Sequence, residues 1–171
     1  MKHKGLPSIE RLGELFAYNP EDGRLVWIKK PSAKAPVTIG SEAGCLTRFG
    51  YRIVTVDCVQ IQTHRIAWAL SNNAWPERQI DHINGLRDDN RLANLREATP
   101  AENCRNRKTR IDNTSGFTGV DWCTRRQKWR AKLKTDGVTR TPGLFRSMEA
   151  AKSARLEAER QYYGAYAPQR T

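Results

Sequence analysis

The stretch "QIDHINGLRDDNRLANLREATPAENCRN" (residues 79–106) sets Asp81 and His82 side by side, ahead of five asparagines at 84, 90, 94, 103 and 106. Short polar side chains at this density suit turns and caps, where they bond nearby backbone groups. "QIDHI" (79–83) reads as a short strand and Asn84-Gly85 as a turn. "LRDDNRLAN" is a polar loop, and "LREA" from Leu95 is a second short strand. "TPAE" opens a helix with three signals: Thr99 as N-cap, Pro100 at the first helical position, and Glu102 closing a capping box. Strand, loop, strand and helix make a ββα unit too small to hold a core alone, so its support comes from flanking sequence.

Upstream, "LFAYNPEDGRLVW" (15–27) predicts two strands around a turn at 19–23, followed by a Pro/Ala/Lys loop over 29–36. "GYRIVTVDCVQIQ" (50–62) predicts a hairpin that buries Val54, Val56, Val59 and Ile61. "THRIAWAL" (63–70) predicts a helix with Thr63 as N-cap and Ile66, Ala67 and Leu70 on one face, ended by "NNAWPE". His64 at its start could serve catalysis, although a hydrogen-bonded structural histidine is the commoner role there. Residues 1–50 carry no evident chemistry and read as scaffold.

Downstream, "KWRAKLK" (128–134) alternates strictly, with Trp129, Ala131 and Leu133 on one face and Lys128, Arg130, Lys132 and Lys134 on the other. Asp136-Gly137 turns the chain into a hairpin, "GFTGVDWCTRR" supplies the preceding strand and "RTPGLF" the returning one. "SMEAAKSARLEAERQYYG" is a helix capped by Ser147, with Ala150, Ala151, Ala154 and Ala158 marking a flat face against the sheet. The expected fold is α+β: an N-terminal β-hairpin region (1–50), the domain holding the ββα unit (51–110), a linker (111–115), and a three-stranded antiparallel sheet packed on one helix (116–171).

The 171 residues carry a net charge of +12 and a pI near 10.0, which points to a polyanionic partner. Residues 105–134 hold ten basic and two acidic side chains. The four cysteines lie far apart with no C-x-x-C pair, and there are only three histidines, so zinc is not expected and free thiols are. No apolar run is long enough to span a membrane and residues 1–12 lack a signal-peptide core, so a cytoplasmic protein is expected.

Turn chemistry alone could account for the asparagines. Phosphodiester hydrolysis accounts for them together with Asp81 and His82: a neutral imidazole activates water, and carboxylate and amide oxygens suit Mg²⁺. "DHINGLRDDNRLANLREATPAEN", with "HRIAW" and "GYRIV" before it, resembles the HNH (ββα-metal, His-Me finger) nucleases of phage and intron-encoded homing endonucleases, in the variant ending in Asn. The resemblance implies His82 as general base, Asp81 and Asn103 as metal ligands, and Asn94 as the middle Asn bracing the loop; Asn90 and Arg91 would be structural and Asn106 a neighbour of the ligand. It also implies Mg²⁺ or another divalent cation such as Mn²⁺, and nicking of one strand per active site.

"SGFTGVDWCTRRQKWRAKLKTDGVTRTPGLFRSMEAAKSA" resembles the Apetala-two/ethylene-response-factor DNA-binding domain, through Gly119-Val120, Trp129, Ala131, Gly143, Phe145 and 149–151. Asp121, where plant members carry a basic residue, and Pro142 in the returning strand depart from that pattern. Together the resemblances, a combination like that of phage-encoded nucleases, imply a DNA endonuclease of phage, intron or prophage origin, acting in the cytoplasm (the host's if phage-encoded) as a monomer or weak dimer on double-stranded DNA. Its duplex contacts would be Arg105, Arg107, Lys108, Arg125, Arg126, Lys128, Arg130, Lys132, Lys134 and Arg140. The alternatives are a DNA-binding regulator with an inactive HNH-like unit, and an RNA-binding protein, which basic charge alone permits.

Overall fold

The computed structural model describes residues 5–106, 109 and 112–168, so Arg107 and Lys108 lie outside the described residues. The chain divides into two compact units, Met1–Asn103 and Cys104–Thr171. Both are mixed α and β, built from small antiparallel sheets and few helices.

The first unit opens with a helix that the sequence reading missed, α1 (Ile9–Leu15). Ser8 caps it by accepting a bond from the Arg11 amide, and three-residue spacing puts Leu12 and Leu15 together, both fully buried. The chain then runs directly into β1 (Phe16–Tyr18), which pairs with β2 (Leu25–Trp27). The turn between them holds Gly23 at φ +77, where an added Cβ would stand 2.5 Å from the backbone nitrogen of Arg91. Only glycine allows that approach, and it seats the loop carrying Asn90.

A three-stranded sheet follows, ordered β3 (Cys45–Leu46), β4 (Arg52–Val56) and β5 (Val59–Gln62). The sequence reading lacked β3. The β4–β5 turn places Asp57 and Cys58 at positive φ, as a tight two-residue hairpin requires. Val54, Val56 and Ile61 are buried as expected, whereas Val59 is half-buried. With Leu12, Leu15, Trp27 and Ile66 they form the main core of this unit.

Helix α2 (Thr63–Asn72) begins one residue earlier than expected: Gln62 is the N-cap and makes no side-chain capping bond, and the Thr63 hydroxyl bonds to Arg52 and Asn90 rather than capping the helix. β6 (Gln79–His82) and β7 (Leu95–Ala98) pair antiparallel, and α3 (Pro100–Arg105) follows. The Thr99–Glu102 capping box is present in both directions, with Thr99 N donating to Glu102 Oε2 at 2.8 Å and Glu102 N to Thr99 Oγ1 at 3.3 Å. A smaller cluster of Ala67, Ile80 and Leu95 fastens β6 and β7 to α2.

In the second unit the sheet order is β10 (Val138–Phe145), β9 (Lys128–Thr135), β8 (Val120–Cys123), all antiparallel, with α4 (Met148–Tyr163) behind it. Ala131, Leu133 and Thr135 point to the buried face while Lys128 and Lys134 are exposed, the period of two that the sequence showed. The β9–β10 register slips between Arg140 and Gly143, where Pro142 has no amide to give the ladder. Ser147 caps α4 by accepting from Ala150 N at 3.2 Å. The helix face departs from the expected alanine stripe. Ala151 and Ala158 point inward as expected, but Ala150 is exposed and Ala154 half-buried, and Arg155 and Glu159 complete the buried face. Arg155 and Glu159 form a buried ion pair at 2.9 Å, and Gly119 (φ +80) leaves room for the guanidinium.

Candidate functional site

Successive strand residues face opposite ways, so Gln79 and Asp81 share one face of β6 and Ile80 and His82 the other. His82, only 4% exposed, lies on the side packed toward α2. Its Nε2 meets Asn90 Oδ1 at 3.1 Å, its ring stands edge-on to His64 with centroids 4.9 Å apart, and Tyr51 lies 6.1 Å away. Asn90 is itself held. Its side-chain amide nitrogen donates to Thr63 Oγ1 at 3.1 Å, and its backbone carbonyl accepts from Tyr18 Oη at 2.7 Å.

This setting keeps both imidazoles uncharged. Burial pushes His64 down to about 3, helped by the neighbouring His82 ring and Arg65. Burial also lowers His82, against the pull of Asn90, Asp81 and Asp89 in the other direction. The Nδ1 of His64 is buried with no hydrogen-bond partner among the described residues. His64 serves as an apolar wall for His82.

On the opposite face Asp81, 5% exposed, sits across from Arg96, whose Nη2 and Nε reach its Oδ2 at 2.7 and 3.0 Å. Asn103 Nδ2 donates to Gln79 Oε1 at 2.8 Å, which ties α3 to the strand face that carries Asp81. The donors offered here are oxygens, the type a hard divalent cation takes. Among the described residues no group of three or more His, Cys, Asp or Glu could hold a metal ion.

The loop between β6 and β7 is laced by its asparagines. Asn94 accepts from Asn84 N at 3.0 Å and donates to the Asp89 carbonyl at 2.7 Å. Asn84 donates to Asp89 Oδ2 at 2.7 Å, and Arg91 holds the same carboxylate at 2.6 Å. The bond from Arg91 is the largest reason that Asp89 falls to about 2. Asn106 follows α3 in a turn.

In the second unit two of the four cations of β9 have an acidic partner. Asp121 on β8 lies opposite Arg130 and pairs with it at 2.6 Å, and with Lys132 at 3.1 Å. Lys128 and Lys134 remain exposed on the strand, and Arg125 and Arg126 lie exposed in the short 3₁₀ turn before it. Arg140 leaves the set: it pairs across from Leu133 of the helix-facing side and stacks on Tyr162 at 4.8 Å. Arg105 likewise lies over the Tyr163 ring at 4.5 Å. Sequence reasoning missed Thr63 and Tyr51 as neighbours of His82, and read Asn90 only as structural. For Asp121 a signal existed, since counting back through the 124–127 turn sets it across from Arg130.

Residues 62–105 match the family model described as HNH endonuclease. The chain is also similar to Protein 3.8 of Escherichia phage T7, 40% identical over 75 residues, covering 43% of this chain and 62% of that protein. It thus spans less than two thirds of that relative's length. No solved structure matches it. The family match contains Asp81, His82, Asn90, Asn94 and Asn103, so the polar cluster built up above is the part of the chain that is similar to HNH endonucleases.

Proposed function

We propose that the first unit is the catalytic part of a divalent-metal-dependent DNA endonuclease of the homing type, nicking one strand per active site. The observation that carries this reading is His82: neutral through burial, held on its Nε2 side by Asn90, and central to the stretch that matches the HNH model. His82 accepts the proton of the attacking water as that oxygen bonds to phosphorus and the bond to the leaving sugar oxygen breaks. Asp81 and Asn103 would hold the cation, Mg²⁺ or Mn²⁺, which when bound neutralises charge on the phosphate and the leaving oxygen. Asn94 and Asn84 keep the intervening loop closed over Asp89.

In the second unit the outward face of β9, with Lys128, Arg130, Lys132 and Lys134, and the adjoining Arg125 and Arg126 would supply duplex contact. This reading rests on the sequence resemblance to the Apetala-two sheet, with Asp121 setting how many of those charges are free for phosphate. A specific observation favours a second reading, that of a DNA-binding regulator: Asp81 is already neutralised by Arg96. Supercoiled plasmid incubated with the protein in Mg²⁺ and in EDTA separates the two. The endonuclease converts it to open circles only with the metal, and the regulator binds it intact in both.

A further inference from the structure

Thr63 and Asn90 form a directed hydrogen-bond chain that ends on the candidate base. The chain starts at the Arg52 carbonyl oxygen, which can only accept. Thr63 Oγ1 gives its single proton to that oxygen at 3.3 Å, so toward Asn90 the hydroxyl can only accept. Asn90 therefore turns its amide nitrogen to Thr63, at 3.1 Å, and its oxygen to His82 Nε2, also at 3.1 Å. A carbonyl oxygen does not donate, so Nε2 must carry the imidazole proton. In a neutral ring, the only form that can act as a base, the lone pair then falls on Nδ1.

We propose that Thr63 is a positioning residue which, acting through Asn90, makes Nδ1 the proton-accepting nitrogen of His82; its bearing on catalysis rests on the endonuclease reading above. The competing tautomer needs the Asn90 amide flipped and the Thr63 proton redirected to it, which breaks the bond from Thr63 to the Arg52 carbonyl. Losing one neutral hydrogen bond sets a preference of roughly fivefold. All four residues lie in the first unit, and Thr63, His82 and Asn90 are each at least nine-tenths buried, so water does not short-circuit the chain. The separation of 27 positions between Thr63 and Asn90 hides the link from local sequence reading.

The test is the tautomer itself, read by two-bond ¹H–¹⁵N correlation on the full chain labelled in histidine, with His82 assigned by its loss in His82→Gln. The wild type should show the proton on Nε2. Thr63→Val, which keeps the shape and removes the hydroxyl, should give a mixture of tautomers, and Thr63→Ser should restore the wild-type spectrum. In plasmid nicking, Thr63→Val should lower kcat several-fold with KM unchanged. A wild-type His82 protonated on Nδ1, or an Nε2 proton unmoved by Thr63→Val, overturns the proposal whether or not DNA is nicked. The expected spectra with no nicking by the wild type uphold the chain and remove the endonuclease reading instead. Should Thr63→Val fail to fold, the wild-type spectrum alone decides.

Discussion

Two sheets of this protein carry the same cross-strand pair. Asp81 faces Arg96 between β6 and β7, and Asp121 faces Arg130 between β8 and β9. The contacts are nearly identical, at 2.7 and 2.6 Å, but the side chains are 5% and 14% exposed in the first pair against 31% and 38% in the second. Burial makes the difference. A buried pair cannot lose one partner without stranding a charge, whereas an exposed pair hands its charge back to water. The first pair is thus a structural commitment at the candidate active site, and the second is an adjustable setting on a surface.

The sharpest way to break this comparison is to remove one partner from each pair. Arg96→Ala should lower the stability of the first unit by about 3–5 kcal/mol, the cost of taking its cationic partner from a buried carboxylate. Asp121→Asn should change stability by less than about 1 kcal/mol. Equal losses in thermal or urea unfolding would show that the two pairs are not different in kind.

Acid sharpens the contrast from the buried side. The folded pKa of His64, about 3, lies below its unfolded value of 6.5, so the unfolded chain binds more protons as pH drops through that window. Stability is therefore full above pH 6.5 and is lost on the way down, by about 2–3 kcal/mol between pH 6.5 and 4.5. His82, lowered in the same sense, adds to the loss. Asp89 contributes only lower, as pH falls through 3.8 toward about 2. His64→Gln should flatten the slope between pH 6.5 and 4.5, and an unchanged slope would mean that His64 is not buried neutral.

Removing a neutral bridge should matter less than removing a buried charge. Asn94→Ala breaks two bonds to the loop and should cost about 1–2 kcal/mol in stability. A variant that keeps full stability and loses only nicking rate would move Asn94 from the loop to the chemistry.

The smallest effect belongs to the exposed pair, and it appears in binding. Asp121→Asn frees Arg130 and Lys132, so duplex affinity at low salt should rise and the salt slope steepen by about one or two. Lys134→Ala should do the reverse, by about one. Weaker binding by Asp121→Asn would mean that the carboxylate holds Arg130 in its working pose.

These differences were unevenly legible in the sequence. Strict alternation over 128–134 gave β9 its faces, and Thr99, Pro100 and Glu102 gave α3 its start, because both signals are local and each residue has one job. Helix α1 escaped because its seven residues lie directly against β1, with no breaker between them. Thr63 misled for a different reason: its hydroxyl reaches Arg52 and Asn90 rather than the helix it begins. The alanine stripe of α4 was read without its phase, so Arg155 and Glu159 came as buried charges that composition does not announce. In the candidate site the residue types and spacing were plain, but burial and pairing were not, since they depend on elements up to 72 residues apart, as Tyr18 and Asn90 are.

The central claim, that His82 does chemistry rather than only filling a core, is tested most directly by single-turnover nicking of supercoiled plasmid in a Mg²⁺ titration, with duplex affinity measured alongside. His82→Ala should slow nicking by about 10²–10⁴-fold at every metal concentration and leave the affinity within about twofold of wild type. Nicking by His82→Ala at the wild-type rate would contradict it.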